Sequence, residues 1–211
     1  MLNAAIRDIL MPKRMARRPI NDRGFPVPWF VPKVKGEWDF RAVDPHKMVI
    51  AYRQRLCWLC GEPLGQYLCF VIGPMCAVNR ISSEPPSHRE CAEYAARACP
   101  FLSKPRAKRN TVDLPDSKPM SGIHLDHNPG ATLLWVTKTY SPVSDGRGGV
   151  LFQIGHPREV QWFAEGRAAT RAEIVAAMDK GLPYLRELAS IEGGEKQLEA
   201  NIAKAMKLLP V

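Results

Sequence analysis

Two short spacings put metal-binding chemistry inside a 35-residue window of this 211-residue chain: Cys57-x-x-Cys60 and His88-x-x-Cys91. Thiolate and imidazole are the donors that zinc takes in closed tetrahedral sites, and a Cys-x-x-Cys turn aims two sulfurs at one point. Gly61, directly after the pair, lets the chain turn back. With all four positions claimed by protein, the expected site is structural Zn2+, held by Cys57, Cys60, His88 and Cys91. A catalytic zinc would keep a position open, with a carboxylate base nearby.

All six cysteines lie in the 43 residues from Cys57 to Cys99, so the remaining three compete for the same roles. Cys69 and Cys76 could each replace a ligand or be buried as small hydrophobes. Cys99 shares a helical stripe with Ala92, Ala95 and Ala96, which favours packing, although it could displace His88. A thioredoxin-type redox pair would need a strand-to-helix junction in an alternating βαβ context, and none is in the sequence. Zinc deaminases place His-x-Glu before Cys-x-x-Cys, the reverse of the order here.

The elements that must position these ligands follow from local signals. Gln66–Ile72 and Met75–Ile81 have strand-like composition and are joined by Gly73-Pro74, which predicts a hairpin. After Pro85-Pro86, Ser87 can cap a helix, with Glu90 completing a capping box. His88 and Cys91 would then share its first turn. In this order of knuckle, hairpin and ligand-bearing helix, the block resembles treble-clef zinc fingers. The wider set RGFPVPWFV (23–31), CWLCG (57–61), FVIGPMC (70–76) and EPPSHRECAEYAARACPFL (84–102) is similar to a family of small bacterial and phage proteins. That resemblance extends to GLPYLRELA (181–189). It implies the zinc site, a bacterial or phage setting and one integrated fold, and names no reaction.

A second constellation, His124-Leu-Asp126-His127-Asn128-Pro129-Gly130, offers two histidines and an aspartate. As chemistry it would be a metal-dependent hydrolase or HNH-like nuclease using His124, Asp126 and His127. As structure, Asn128-Pro-Gly is a turn. No phosphate-binding Gly-rich loop, nucleophile elbow or kinase signature is present, which weighs against an enzyme.

Charge points to partners. The net +9 is uneven: +7 over residues 1–55, −1 over 56–100, +3 over 101–155 and zero over 156–211. The expected contacts with a polyanion are therefore Arg14, Arg17 and Arg18 in the arm and Lys104, Arg106, Lys108 and Arg109 after the cysteine block. The reading is a zinc-stabilised protein that binds nucleic acid or a protein partner. Aromatic and basic residues around the second hairpin (Trp135, Lys138, Tyr140, Arg147) could also stack bases. No apolar run is long enough to span a bilayer, the N-terminus lacks the order of a secretory signal, and the thiolate site suits a reducing cytoplasm.

The remaining elements complete an α+β expectation. Residues 2–18 read as a short basic amphipathic helix or a solvated tail. Residues 17–47, rich in proline and aromatics, read as an arm laid across the protein's own surface. A helix is expected from Asp44-Pro45 to about Leu56. A second hairpin is expected from 131–137 and 149–155, a short helix over 157–164, and helices at 170–181, 183–193 and 195–209. The expected organisation is a basic arm and helix (1–56), a treble-clef-like zinc module (57–102), a basic, proline-rich connection (103–122), and a hairpin with C-terminal helices (123–211).

Overall fold

The computed structural model describes residues 1–108, 110, 127–146 and 148–211. Arg109, His124, Asp126, Arg147 and most of the 103–122 connection lie outside them. The fold is mixed α/β. Its helices are α1 Lys13–Ala16, α2 Pro45–Gln54, α3 Pro74–Asn79, α4 Arg89–Ala98, α5 Pro100–Ser103, α6 Arg171–Glu192 and α7 Glu195–Met206. Its strands are β1 Lys33–Val34, β2 Glu37–Trp38, β3 Leu68–Ile72, β4 Ile81–Ser82, β5 Thr132–Thr137, β6 Tyr140–Ser144, β7 Val150–Ile154, β8 Glu159–Ala164 and β9 Arg167–Ala168.

The central sheet runs β3-β5-β8-β9, all antiparallel, and a smaller one runs β4-β7-β6. β5 is buried at every position, with four apolar residues between Thr132 and Thr137, as expected of a strand covered on both faces. Alternation divides those faces. Leu134 and Val136 of β5 join Cys69 of β3, Phe163 of β8 and Ala92 and Ala96 of α4. Leu133, Trp135, Leu68, Phe70 and Trp162 form the larger core with Phe152 and Ile154 of the small sheet and Ile174, Met178 and Leu182 of α6.

Three expected elements are replaced. The hairpin inside the cysteine block does not form: β3 pairs with β5, with Phe70 opposite Trp135. The run after it is α3, with Gly73 at its N-cap and Pro74 in its first turn. Proline at that position favours a helix start because its missing N–H has no intrahelical partner there anyway. β7 pairs with β6, not with β5, so the second hairpin is 140–144 with 150–154. Residues 159–164, expected as a helix, form β8 and pair with β5, Leu133 opposite Trp162. Pairing with β5 overrides local pattern for β3 and β8, whereas α3 and the β6–β7 hairpin are set by signals close in sequence.

Two further expectations change at the ends of the chain. The 181–183 turn is absent, and α6 passes straight through Pro183. Gly181 is there for closeness: a Cβ on it would lie 2.6 Å from Met75 Cγ, where α6 packs on α3. The first 18 residues have one short helix, yet Ile6 and Met15 are 2% and 3% exposed and packed. The helix from Pro45 does form, with Asp44 accepting from the His46 and Lys47 amides.

The capping box before α6 is present: Thr170 Oγ1 accepts from the Glu173 amide, and the Glu173 carboxylate accepts from the Thr170 amide and hydroxyl. Glu173 also pairs with Arg167 at 2.6 Å. The Arg167 bond first, then those from Thr170, hold this carboxyl down at about 2. A lowered folded-state pKa gives stability that is complete above the usual carboxylate value and is lost as pH falls towards 2. The Glu173 side-chain carbon followed by NMR should titrate near 2, and Glu173→Gln should remove that part of the acid dependence.

Candidate metal centre

Cys57, Cys60, His88 and Cys91 come together as four buried residues whose donor atoms lie within 4.8 Å of one another. Metal–donor arms of about 2.0–2.3 Å imply tetrahedron edges of about 3.3–3.8 Å. Cys60 Sγ and His88 Nδ1 are already 3.4 Å apart. The set is compatible with a structural Zn2+ site, in chemistry and in reach.

The knuckle is built by its own backbone. The Gly61 amide bonds to Cys57 O at 2.8 Å, and the Cys57 amide to Glu62 O at 2.8 Å. Gly61 has φ +81°, and a Cβ there would meet the Trp29 ring at 2.5 Å. Both facts require glycine. Amides also point at the sulfurs: Cys60 N–H and His88 N–H at Cys57 Sγ (3.4 and 3.3 Å), and Glu62 N–H at Cys60 Sγ (3.5 Å). Such donors stabilise thiolate, the form that binds metal.

The second ligand pair is placed by β3. Ser87 and Cys69 exchange both backbone hydrogen bonds (2.7 and 2.9 Å), which brings the next residue, His88, over the knuckle. This corrects one sequence expectation. Ser87 is strand-like and buried, His88 itself is the N-cap of α4, and Cys91 lies in the first turn. In the tautomer that donates from Nε2 to Pro63 O at 3.0 Å, His88 presents Nδ1 to the cluster. A carbonyl fixing the far nitrogen is the usual way a ligand histidine is oriented. Nothing in the spacing pointed to Pro63.

The donors of the cluster perturb one another's titration. Burial would raise the Cys57 thiol, yet hydrogen bonds from Cys60, Cys91 and His88 outweigh it and drive it down. Cys91 is pushed up by its bonds to Cys57 and Cys60 and by burial, so it keeps the proton. His88 rises to about 10 through its bonds to Cys57 and Cys60, against burial. Cys69 and Cys76, pushed by burial to about 12 and about 11, behave as inert core thiols, and Cys99 is also raised by burial.

The arm closes the site. Ile6 and Met15 pack in one cluster with Cys57, Leu59, Cys60, Cys91 and Tyr94, and Phe30 stacks on Trp58 at 4.8 Å. The arginines expected to meet a polyanion are engaged here. Arg14 pairs with Glu62 (3.2 Å) and Glu90 (2.6 Å), Arg17 pairs with Glu62 (2.8 Å), and Arg18 donates to Val27 O (3.0 Å). Arg14 and Arg18 also lie within the field of Cys60. By contrast Lys104, Arg106 and Lys108 are exposed.

Of the His124/Asp126/His127 set, His127 alone is described. It is exposed and forms a β-bridge with Lys108. The neighbouring Asn128 is structural. Its Oδ1 accepts from the Gly130 amide, and its Nδ2 donates to the carbonyls of Phe101, Leu102 and Lys104. No helix among the described residues is long and apolar enough to cross a membrane. The chain matches no protein-family model, no curated protein and no solved structure.

Proposed function

We propose that this protein is a zinc-stabilised scaffold that binds nucleic acid. The observation that carries the reading is the closed set of four buried donors: each position has a protein ligand, so the metal's work is folding rather than catalysis. The local arrangement is treble-clef-like, with a knuckle and a ligand-bearing helix. Strand β3, helix α3 and strand β4 stand where the hairpin would be. Thiolate ligation suits a reducing cytoplasm, here bacterial or phage-related. The net charge of +9, with Lys104, Arg106 and Lys108 exposed, supports a polyanionic partner.

Metal analysis of the purified protein tests the first half: one zinc per chain is expected, and none would overturn it. Retention of nucleic acid tests the second. Binding should weaken steeply with salt, as phosphate contacts release counterions. If no nucleic acid binds at low salt, a protein partner becomes the better reading.

A further inference from the structure

At one end of the central sheet, β3 begins, β5 ends and β8 begins. Leu68 lies opposite Thr137, and the Arg158 amide bonds to Val136 O. This end carries aromatic rings and cations together. Tyr67 is 54% exposed, and Lys138 Nζ sits over its ring at 5.3 Å. Tyr52 is 37% exposed and meets Tyr140 edge-on at 6.0 Å. Arg55 reaches Gly65 O at 3.4 Å and lies within the field of Tyr140. Among the described residues Arg55, Lys138 and Arg158 form no ion pair, unlike Arg14 and Arg17.

Beside these rings a recess of about 330 Å³ is lined by Arg80, Thr139, Tyr140, Ser141, Gln153 and His156, with no carboxylate among its lining residues. Burial raises the Tyr140 phenol, so it stays protonated as a donor. Arg80 is fixed by two bonds to Ile154 O, at 2.8 and 3.1 Å. A single exposed tyrosine needs no explanation. Two of them, with three cations that form no ion pair among the described residues and a recess without an acid in its lining, make a surface suited to planar rings and negative charge.

We infer that this sheet end binds single-stranded nucleic acid, with bases stacked on Tyr67 and Tyr52, one base edge in the recess, and phosphates on Arg55, Lys138 and Arg158. The inference rests on the nucleic-acid reading above and moves its contact surface away from Lys104, Arg106 and Lys108. Stacking on exposed rings needs unpaired bases, which excludes duplex as the preferred form. An acidic peptide would satisfy the cations and leave the rings and the recess unused.

The test is fluorescence anisotropy of a labelled dT20 oligonucleotide with the zinc-loaded full chain, against the same protein with a 20-base-pair duplex. Single strand should bind more tightly than duplex. Tyr67→Ala should weaken dT20 binding about tenfold, from the loss of one stacked base, with Tyr67→Phe restoring most of it. Lys138→Ala with Arg158→Ala should weaken binding further and flatten the salt dependence. Zinc content and thermal midpoint serve as folding controls, because these side chains lie outside the cores.

If Tyr67→Ala and Lys138→Ala bind dT20 as the parent does, while Lys104→Ala/Arg106→Ala/Lys108→Ala loses it, the sheet end is overturned and the nucleic-acid reading stands. Equal affinity for duplex, or equal competition by polyglutamate, overturns the stacking assignment. If neither oligonucleotide binds at low salt, both the inference and the reading beneath it fall.

Discussion

Cys60→Ala is expected to abolish zinc binding and with it the folded state of the N-terminal half. Structural zinc binds small folding modules with an apparent free energy of about 10–16 kcal/mol, whereas a whole domain has a net stability of about 5–15 kcal/mol. The loss is therefore comparable to everything that holds the chain together. The packing around the site explains why it cannot be absorbed locally. Ile6, Met15, Leu59 and Tyr94 are grouped around Cys57, Cys60 and Cys91. Chelation of the parent protein should have the same effect, seen as loss of the cooperative thermal transition together with release of one zinc. Cys69→Ala is the control. That thiol is buried in the separate cluster beneath α4, so the variant should keep its metal and lose about 1 kcal/mol, on the order of a small core truncation. A folded, metal-free Cys60→Ala protein would contradict the structural role of the site.

The second large effect belongs to the other core. Trp162 is 5% exposed in the main cluster, and its indole N–H donates to Leu208 O at 3.1 Å, tying β8 to the segment after α7. Trp162→Ala should cost about 3–5 kcal/mol, through lost burial and the cavity left behind. Trp162→Phe retains much of the ring and removes the hydrogen bond, which should cost about 1 kcal/mol for the bond plus a smaller packing loss. Chemical denaturation of the three proteins measures both. Because Trp162 and the three cysteines of the site sit in different clusters, the alanine variant should still hold stoichiometric zinc. Loss of zinc at the same denaturant concentration as loss of β-structure would show that the two cores unfold together.

What could be read from the residues follows the range of the interactions. The four donors that the fold gathers are written in two spacings of three residues, and the caps at Asp44 and Thr170 act within three residues of themselves, so these were legible. β3 was recognisable as a strand, but its partner lies beyond residue 130, and no local pattern says which strand Phe70 will face. Met75–Ile81 has a strand's composition and a helix's start, and the start won. Glu159–Ala164 is polar at one end and buried on both faces at the other, which conceals its alternation. Gly181 and Pro183 looked like a break because the reason for the glycine, Met75 of α3, is more than 100 residues away in sequence. The arginines of the arm looked available because Glu62 and Glu90, which hold two of them, come to the arm only through the fold.

The way the arm lies over the knuckle also bears on how the chain is made. Its apolar residues, from Ile6 to Val31, leave the ribosome well before Cys91, the last of the four ligands. At about 5–20 residues per second, the sixty residues after Val31, up to and including Cys91, take roughly 3–12 s to add. Through that interval Ile6, Met15, Val27 and Val31 have no surface to cover. On the zinc-scaffold proposal, the nascent chain stays exposed to chaperones and proteases until a metal ion arrives, and in a zinc-starved cell the amount of this protein would be set at synthesis.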